Sequence, residues 1–151
     1  MKHRYRGRFL HLLAILPLIQ SSGFCSAPLE WTFTTVSRTV WSKGEISASP
    51  SVGRNGLVYF GAKDHTFYAV DSAKGKLTWK YRTHGAISAS AAVGSNAVVY
   101  FGSEDSFVYA LDGAQGGLEW KFETAGKIRS SPALSNLGIL YVGSDDKNVY
   151  A

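Results

Sequence analysis

Cysteine, histidine and methionine are scarce in this chain of 151 residues, which contains one cysteine, four histidines and one methionine. Cys25 is the single thiol. If a signal peptide is cleaved after Cys25, the mature chain has no thiol and cannot form a disulfide bond or a thiolate metal site. His3 and His11 lie in the N-terminal stretch, and His65 and His84 are isolated, with no second ligand at a metal-binding spacing. We therefore expect no zinc site.

The chain also lacks an apolar run long enough to cross a bilayer. Its longest apolar run, residues 9–19, covers 11 residues, whereas a transmembrane helix needs about 20. This run follows a basic stretch and precedes small residues, which is the order found in secretory signal peptides. We predict a signal peptide over residues 1–27, export to the periplasm or the exterior, and no transmembrane span after cleavage. An uncleaved anchor is the alternative.

Cys25 lies close to the expected cleavage point. A lipoprotein signal requires a small residue directly before the lipidated cysteine, whereas Phe24 is large. We therefore favour ordinary cleavage near Cys25, and lipid anchoring at this cysteine is the alternative.

The net charge of +5 comes almost wholly from the N-terminal end. Four of these charges belong to Lys2, Arg4, Arg6 and Arg8, and residues 26–151 carry a net charge of only about +1. A nucleic-acid-binding protein would carry its positive charge on the folded domain. We therefore expect no nucleic-acid partner.

The sequence repeats with a period of 41 residues, as the positions of Ile46, Ile87 and Ile128 show. Residues 46–86 and 87–127 are identical at 22 of 41 positions when aligned without a gap, and residues 128–151 begin a third copy. A fixed period of about 40 residues, rich in short apolar stretches, is typical of stacked or radial repeats. The positions shared by all three copies include Gly61, Gly102 and Gly143, Asp64, Asp105 and Asp146, and Tyr68, Tyr109 and Tyr150.

Each copy has the pattern of four short β-strands. In the second copy the predicted strands are Ser88–Val93, Ala97–Gly102, Phe107–Asp112 and Leu118–Glu123, which are rich in β-branched and aromatic residues and separated by turn residues. A small sheet of this kind has two apolar faces and cannot bury both alone. Copies packed side by side around an axis solve this problem, as in a β-propeller. We therefore predict an all-β fold, a partial β-propeller of about two and a half to three four-stranded antiparallel blades.

Two segments carry the pattern Ala-x-Asp-x-x-x-Gly-x-x-x-Trp, and residues 102–110 and 143–151 share Gly-Ser-x-Asp-x-x-x-Tyr-Ala. These elements resemble the pyrroloquinoline-quinone (PQQ)-type, or quinoprotein-like, β-propeller repeats, whose members include quinoprotein dehydrogenases and the propeller lipoprotein of the outer-membrane β-barrel assembly machinery. The resemblance implies a closed propeller of about seven or eight blades. It also implies that tryptophans on the outer strands dock on the neighbouring blade. The implied docking residues are Ala69, Asp71, Gly75 and Trp79, and Ala110, Asp112, Gly116 and Trp120.

The predicted organisation is a signal peptide, an N-terminal strand and linker over residues 28–45, and the repeats over residues 46–151. The third repeat, residues 128–151, stops short of a fourth strand. Residues 29–33 are similar to residues 118–122, and we interpret them as an outer strand for a blade whose inner strands come from elsewhere. Because three blades leave apolar faces unmatched, we expect a fragment of a longer propeller, with assembly from other copies as the alternative.

The repeated aspartates raise the possibility of calcium binding. Calcium requires six to eight oxygen ligands converging on one point, whereas Asp64, Asp105 and Asp146 recur once per blade. We therefore expect these carboxylates to cap backbone amides of turns. For Asp71 and Asp112 we expect turn and inter-blade hydrogen bonds.

The sequence contains no constellation typical of an enzyme. It has no Gly-x-Ser-x-Gly elbow, no paired histidines and no phosphate-binding Gly-x-x-x-x-Gly-Lys-Ser/Thr motif. Quinoprotein dehydrogenases carry a disulfide of adjacent cysteines, which this chain lacks. We expect no catalytic residue, no metal site and no cofactor.

These observations favour an exported, non-catalytic propeller that acts as a protein-binding scaffold in the cell envelope. The expected partners are envelope proteins, together with further blades in cis or from other copies. The alternatives are a fragment of a PQQ-dependent quinoprotein dehydrogenase and a ligand-binding sensor propeller.

Overall fold

The computed structural model describes residues 31–35 and 44–151. The predicted signal peptide, with Cys25, lies outside these residues. Within the described ranges there are eleven β-strands and no helix, and therefore no helix that could span a membrane. Trp31–Ala151 forms one compact unit.

The strands form three antiparallel sheets that follow the repeat. The first sheet has the order β1-β2-β3-β4, the second β5-β6-β7-β8 and the third β11-β10-β9. Within each sheet, every strand pairs with its neighbour in sequence because tight turns connect them. The strands are β1 (Ser51–Val52), β2 (Leu57–Ala62), β3 (Thr66–Asp71), β4 (Leu77–Arg82), β5 (Ala92–Val93), β6 (Val98–Gly102), β7 (Phe107–Asp112), β8 (Leu118–Glu123), β9 (Ala133–Leu134), β10 (Leu140–Gly143) and β11 (Val149–Tyr150).

The inner strand of the second sheet is shorter than predicted. Of the predicted strand Ser88–Val93, only the last two residues form β5. The residues before them bond to the neighbouring sheets instead. The amide of Ser90 donates to Ser131 Oγ at 3.1 Å, and Ser51 Oγ donates to the carbonyl of Ala91 at 2.6 Å. The small side chains allow this close approach, and β5 contacts both β1 and β9.

The main core lies between the first and second sheets. Tyr59 and Phe67 project from the first sheet towards Phe101 and Tyr109 of the second, and all four side chains are buried. The rings of Phe67 and Phe101 stack with their centroids 4.0 Å apart and an angle of 4° between planes. Burying a side chain of this size contributes about 1.5–3 kcal/mol. Each sheet therefore depends on its neighbour for one of its faces.

The turn between the first two strands of each repeat needs a left-handed backbone. In the first and third repeats this position is Gly56, with φ of +76°, and Gly138, with φ of +80°. In the second repeat it is Ala97, with φ of +65°. An L-residue with a Cβ adopts this conformation at a cost of about 1–2 kcal/mol, so the second turn is strained where the other two are not.

Replacing Ala97 by glycine is therefore expected to stabilise the protein by about 0.5–1 kcal/mol, because relief of the left-handed strain exceeds the entropy that glycine adds to the unfolded chain. Urea unfolding followed by tryptophan fluorescence measures the change. Ala114 is exposed and has no positive φ, so Ala114→Gly is the matched control and should destabilise. A loss of stability in Ala97→Gly equal to that of the control would contradict the assignment of strain.

Candidate functional site

The best-defined contact between the first and second sheets is an indole ring that lies over a glycine. Trp79, on the outer strand of the first sheet, donates from Nε1 to the carbonyl of Gly113 at 2.9 Å. A Cβ added at Gly116 would lie 2.6 Å from the Trp79 ring, and Gly116 has φ of +76°. Both the close approach and the backbone conformation require glycine at this position. Trp79 thus docks on the second sheet as the resemblance implies.

Trp31 makes the same contact with the first sheet. Its Nε1 donates to the carbonyl of Ser72 at 2.9 Å, and a Cβ at Gly75 would lie 2.5 Å from its ring. Ser72 and Gly75 are the positions one period before the residues that receive Trp79. The segment at residues 31–35 therefore occupies the place of an outer strand next to the first sheet.

The remaining docking residues shape the turn and make room for the ring. The carboxylate of Asp112 accepts from the amides of Ala114 and Gln115, both at 2.7 Å, and Asp71 holds the equivalent turn of the first sheet. These aspartates bond within their own turn, and the bond between sheets is made by the indole. Ala110 and Ala69 are fully buried and stand opposite Trp120 and Trp79 in the strand register.

Trp120 lies at the last junction between repeats that the structure describes, and the positions one period after Gly113 and Gly116, which would receive its ring, fall beyond residue 151. It is 43% exposed, and its Nε1 has no hydrogen-bond acceptor among residues 31–35 and 44–151. Its one ring contact within those ranges is with Tyr100 of its own sheet, at 5.8 Å between centroids. The side chain instead borders an apolar groove of about 450 Å³ between the second and third sheets. The groove is lined by Val108, Trp120, Phe122, Leu140, Val142 and Tyr150.

The aspartates at the turns between the second and third strands of the second and third repeats connect sheets. Asp105 accepts from the amide of Phe107 at 3.1 Å, from the hydroxyl of Tyr109 at 2.8 Å and from the amide of His84 in the first sheet's exit loop at 2.9 Å. Asp146 repeats this arrangement with Asn148, Tyr150 and Ala125. The carboxylates therefore cap turn amides, as expected, and also bind the preceding repeat.

No group of three or more potential metal ligands comes together in the described ranges. The repeated aspartates are directed into separate turns, each surrounded by amide and hydroxyl donors. Such donors compete with a cation for the same oxygen atoms. The arrangement therefore serves to hold neighbouring sheets together through hydrogen bonds.

An ionic cluster links the second sheet to the third. Glu104 contacts Lys127 Nζ at 3.2 Å and Arg129 Nε at 3.6 Å, and Arg129 also contacts Asp145 at 2.8 Å. Partial burial alone would raise the pKa of Glu104, but the hydrogen bonds from Lys127 and Ser88 and the charge of Arg129 hold that pKa below its ordinary value. The cluster is partly exposed, so each pair contributes at most about 1 kcal/mol.

Two contacts were not anticipated from the sequence. The sequence does not predict the bonds from His84 and Ala125 to the aspartates of the next repeat, although those aspartates and the tyrosines that follow them share one spacing. The ionic cluster around Glu104 was not anticipated either, because its members do not recur: position 63 is lysine, 104 glutamate and 145 aspartate.

The two outer-strand tryptophans allow a matched test of docking. Trp79→Ala is expected to lower the free energy of unfolding by about 3–5 kcal/mol, since it leaves a cavity and removes the hydrogen bond from the indole to the carbonyl of Gly113. Trp120→Ala removes a half-exposed ring without a hydrogen bond and is expected to cost about 1–2 kcal/mol. Urea unfolding of both variants checks the difference. Equal losses would contradict the assigned roles.

The buried tyrosines predict a loss of stability at alkaline pH. Burial raises the pKa of Tyr68 to about 12, and the hydrogen bond from its hydroxyl to Asp64 adds to the shift. The unfolded chain has a tyrosine pKa of about 10. The stability that this shift represents is therefore complete below pH of about 10 and falls as the pH rises towards about 12. Urea unfolding across this range should show a shallower decline for Tyr68→Phe than for the parent chain, and identical slopes would contradict the prediction.

Comparisons with known proteins agree with this architecture. A family model of PQQ-type repeats, described as outer membrane protein assembly factor BamB, matches residues 31–151. No curated protein matches the sequence.

Many solved structures match this chain, and three of them illustrate the shared fold. BamB from Moraxella catarrhalis superposes with a TM-score of 0.61 and 17% identity over 72% of this chain and 34% of that chain. The WD40 β-propeller domain of Doa1 gives 0.61 and 21% over 67% of this chain and 34% of that one. A europium-containing methanol dehydrogenase gives 0.57 and 18% over 66% and 24%.

The chain thus spans about a third of the length of the first two structures. At these identities the superpositions establish the fold, which is a partial β-propeller with its three sheets as blades, as predicted. The family model covers most of the sequence and includes both indole–glycine contacts. The chain therefore belongs to the PQQ-type β-propeller family described as outer membrane protein assembly factor BamB.

Proposed function

We propose that this chain is part of an exported, non-catalytic propeller that binds other proteins as a scaffold in the cell envelope. The observation that carries the proposal is the match of residues 31–151 to the family described as an outer membrane protein assembly factor. An assembly factor acts by holding other polypeptides, and a propeller offers sheet edges and loops for that purpose.

The chemistry of the repeated residues supports the same proposal. The polar groups that recur with the period are used inside the fold: the carboxylate of Asp105 accepts three hydrogen bonds, and the carbonyl of Gly113 accepts from both Trp79 and Tyr59. Among the described residues no buried side-chain nitrogen or oxygen lacks a partner. The recurring polar groups are therefore accounted for by their structural roles within the fold.

The alternative is a piece of a PQQ-dependent dehydrogenase. It is favoured only by the superposition on methanol dehydrogenase, at 18% identity over 24% of that chain. A likeness of fold at this identity does not carry a reaction with it. The proposed experiment therefore includes an arm that tests oxidation directly.

The experiment is cross-linking and affinity purification of the tagged chain from envelope fractions, followed by quantitative mass spectrometry. We expect enrichment of outer-membrane β-barrel proteins or of components that assemble them. Trp79→Ala, which is expected to loosen the blades, serves as the matched control and should lose the enrichment. Absence of these proteins from the parent sample would contradict the proposal.

In the second arm the purified chain receives PQQ and Ca²⁺, and alcohol-dependent reduction of a dye is measured. We expect no difference from the chain without quinone. Saturable, quinone-dependent oxidation would contradict the non-catalytic proposal and favour the dehydrogenase.

A further inference from the structure

The outer strand of the first sheet carries an excess of positive charge that its counterpart in the second sheet lacks. Residues 74–82 contain four basic residues and no acidic one, whereas residues 115–123, one period later, contain one lysine and two glutamates. The four basic side chains are all exposed, and they belong to Lys74, Lys76, Lys80 and Arg82. None of them takes part in an ion pair within the described part of the chain. The fold itself therefore leaves this charge unused.

The strand that carries this charge, β4, is also the edge strand of its sheet. The amide of Thr83 donates to the carbonyl of His65 at 2.9 Å, and this pair directly follows the pair of Arg82 with Thr66 in the register of β3 and β4. Hydrogen-bonded and non-hydrogen-bonded pairs alternate along antiparallel strands. The backbone groups of Arg82, and of Lys80 two positions earlier, therefore point away from β3 and towards the open edge.

Lys80 and Arg82 thus combine free backbone groups with positive charge at one edge. Their side chains are two positions apart and lie on the same face of the strand. A strand added to this edge would form hydrogen bonds with the backbone of both residues, and the residues opposite them would also be two positions apart on one face. Opposite charges that face each other across a strand pair stabilise it. Acidic residues at alternate positions therefore complement this edge.

The second sheet indicates that this charge exceeds what an edge strand needs. Charged side chains protect an open edge from pairing with other copies, and the equivalent residues of β8 do so with mixed signs, since they are Lys121 and Glu123. Lys121 Nζ also lies 4.4 Å from the centroid of the Phe107 ring. The residue one period before Phe107 is Thr66, so Lys80 has no ring at this position. Free charge of a single sign is therefore a property of the first sheet and not of the repeat.

We propose that the edge of β4 binds an extended acidic segment of a partner protein, which adds to the first sheet as a further strand with acidic residues opposite Lys80 and Arg82. Lys74 and Lys76, directly before β4, attract further acidic residues at one end of the segment. The inference rests on the proposed function, because it takes the partner to be a protein.

The narrow shape of the charged region favours a polypeptide over a membrane. Anionic lipids attract clusters of basic residues, but a membrane surface is broader than one strand. It would also meet the neighbouring outer strand, β8, which carries Glu119 and Glu123 beside a single lysine. An extended chain contacts β4 alone.

The test is the binding of a fluorescent peptide to the full chain, measured by anisotropy. The peptide alternates threonine and glutamate, and a second peptide of the same composition carries its glutamates in one block. Arg82→Glu gives the first edge the residue that β8 carries at position 123, which the fold accommodates in the equivalent strand. Arg54→Glu, at an exposed turn of the first sheet, is the matched control with the same change of charge.

We expect the alternating peptide to bind the parent chain saturably and more tightly than the block peptide does. Arg82→Glu should weaken this binding about tenfold, because an attractive cross-strand pair becomes a repulsive one, and Arg54→Glu should leave it unchanged. Equal binding of the two peptides would overturn the proposal. Equal losses in the two variants would overturn it as well, since the overall charge of the chain would then explain the attraction.

Vesicles of phosphatidylglycerol test the membrane alternative. We expect the parent chain and Arg82→Glu to bind them to the same extent. Vesicle binding that requires Arg82, without binding of the alternating peptide, would assign the edge to a lipid surface and overturn the proposal.

Purification of the tagged chain from envelope fractions separates this inference from the proposed function. We expect Arg82→Glu to lose partners that Arg54→Glu retains. Capture of the same partners by Arg82→Glu and by the parent chain would overturn the inference and leave the proposed function intact. Absence of partners from the parent sample, together with binding of the alternating peptide, would contradict the proposed function and still support the edge as a site for acidic strands.

Discussion

The contact on which the fold depends is an indole lying on a glycine of the neighbouring sheet. Trp79 contacts Gly116, and Trp31 contacts Gly75, each with a 2.9 Å bond from the indole nitrogen to a carbonyl of the same turn. Both glycines have positive φ. Because the ring lies closer than any Cβ would allow, the constraint acts on both partners: the turn must be left-handed, and the outer strand must carry a large ring.

This constraint explains why the sheets cannot be separated. A four-stranded sheet of this size leaves an apolar face uncovered when it stands alone, and the core between the first two sheets is made by rings such as Phe67 and Phe101 that belong to different repeats. Burial of such rings contributes about 1.5–3 kcal/mol each. The ionic cluster around Glu104 spans the next junction, but exposed ion pairs contribute about 0–1 kcal/mol. Apolar contact therefore holds the repeats together, and the charges only adjust the junction.

The repeat period was enough to predict the all-β fold and, through the resemblance, the docking of Trp79. It predicted less where a position departs from the average of the repeats. The position one period before Trp79 is Arg38, not Trp31. The fixed period alone therefore misses Trp31, and the similarity of residues 29–33 to residues 118–122 is the signal that indicates an outer strand there. Trp120 has the same sequence environment as Trp79, but the turn that would receive its ring falls beyond residue 151, so its exposure does not test the docking prediction.

The predicted length of the inner strand is too great for a related reason. Ser90 and Ala91 fall within the predicted inner strand of the second sheet, but their backbone groups bond to Ser131 and Ser51 of the adjacent sheets. Small serines and alanines allow this approach once the repeats converge, and a single repeat does not reveal it.

The distinction between repeated and unrepeated residues also bears on function. A residue that recurs in every copy, such as the aspartate of each turn between the second and third strands, serves a contact that every copy needs. Recognition of a partner has no such periodicity, so it must use groups that differ between copies or edges that the period leaves open. Position 63 and its successors change from lysine to glutamate to aspartate. At these positions the surface differs between repeats in a way that the fold itself does not require.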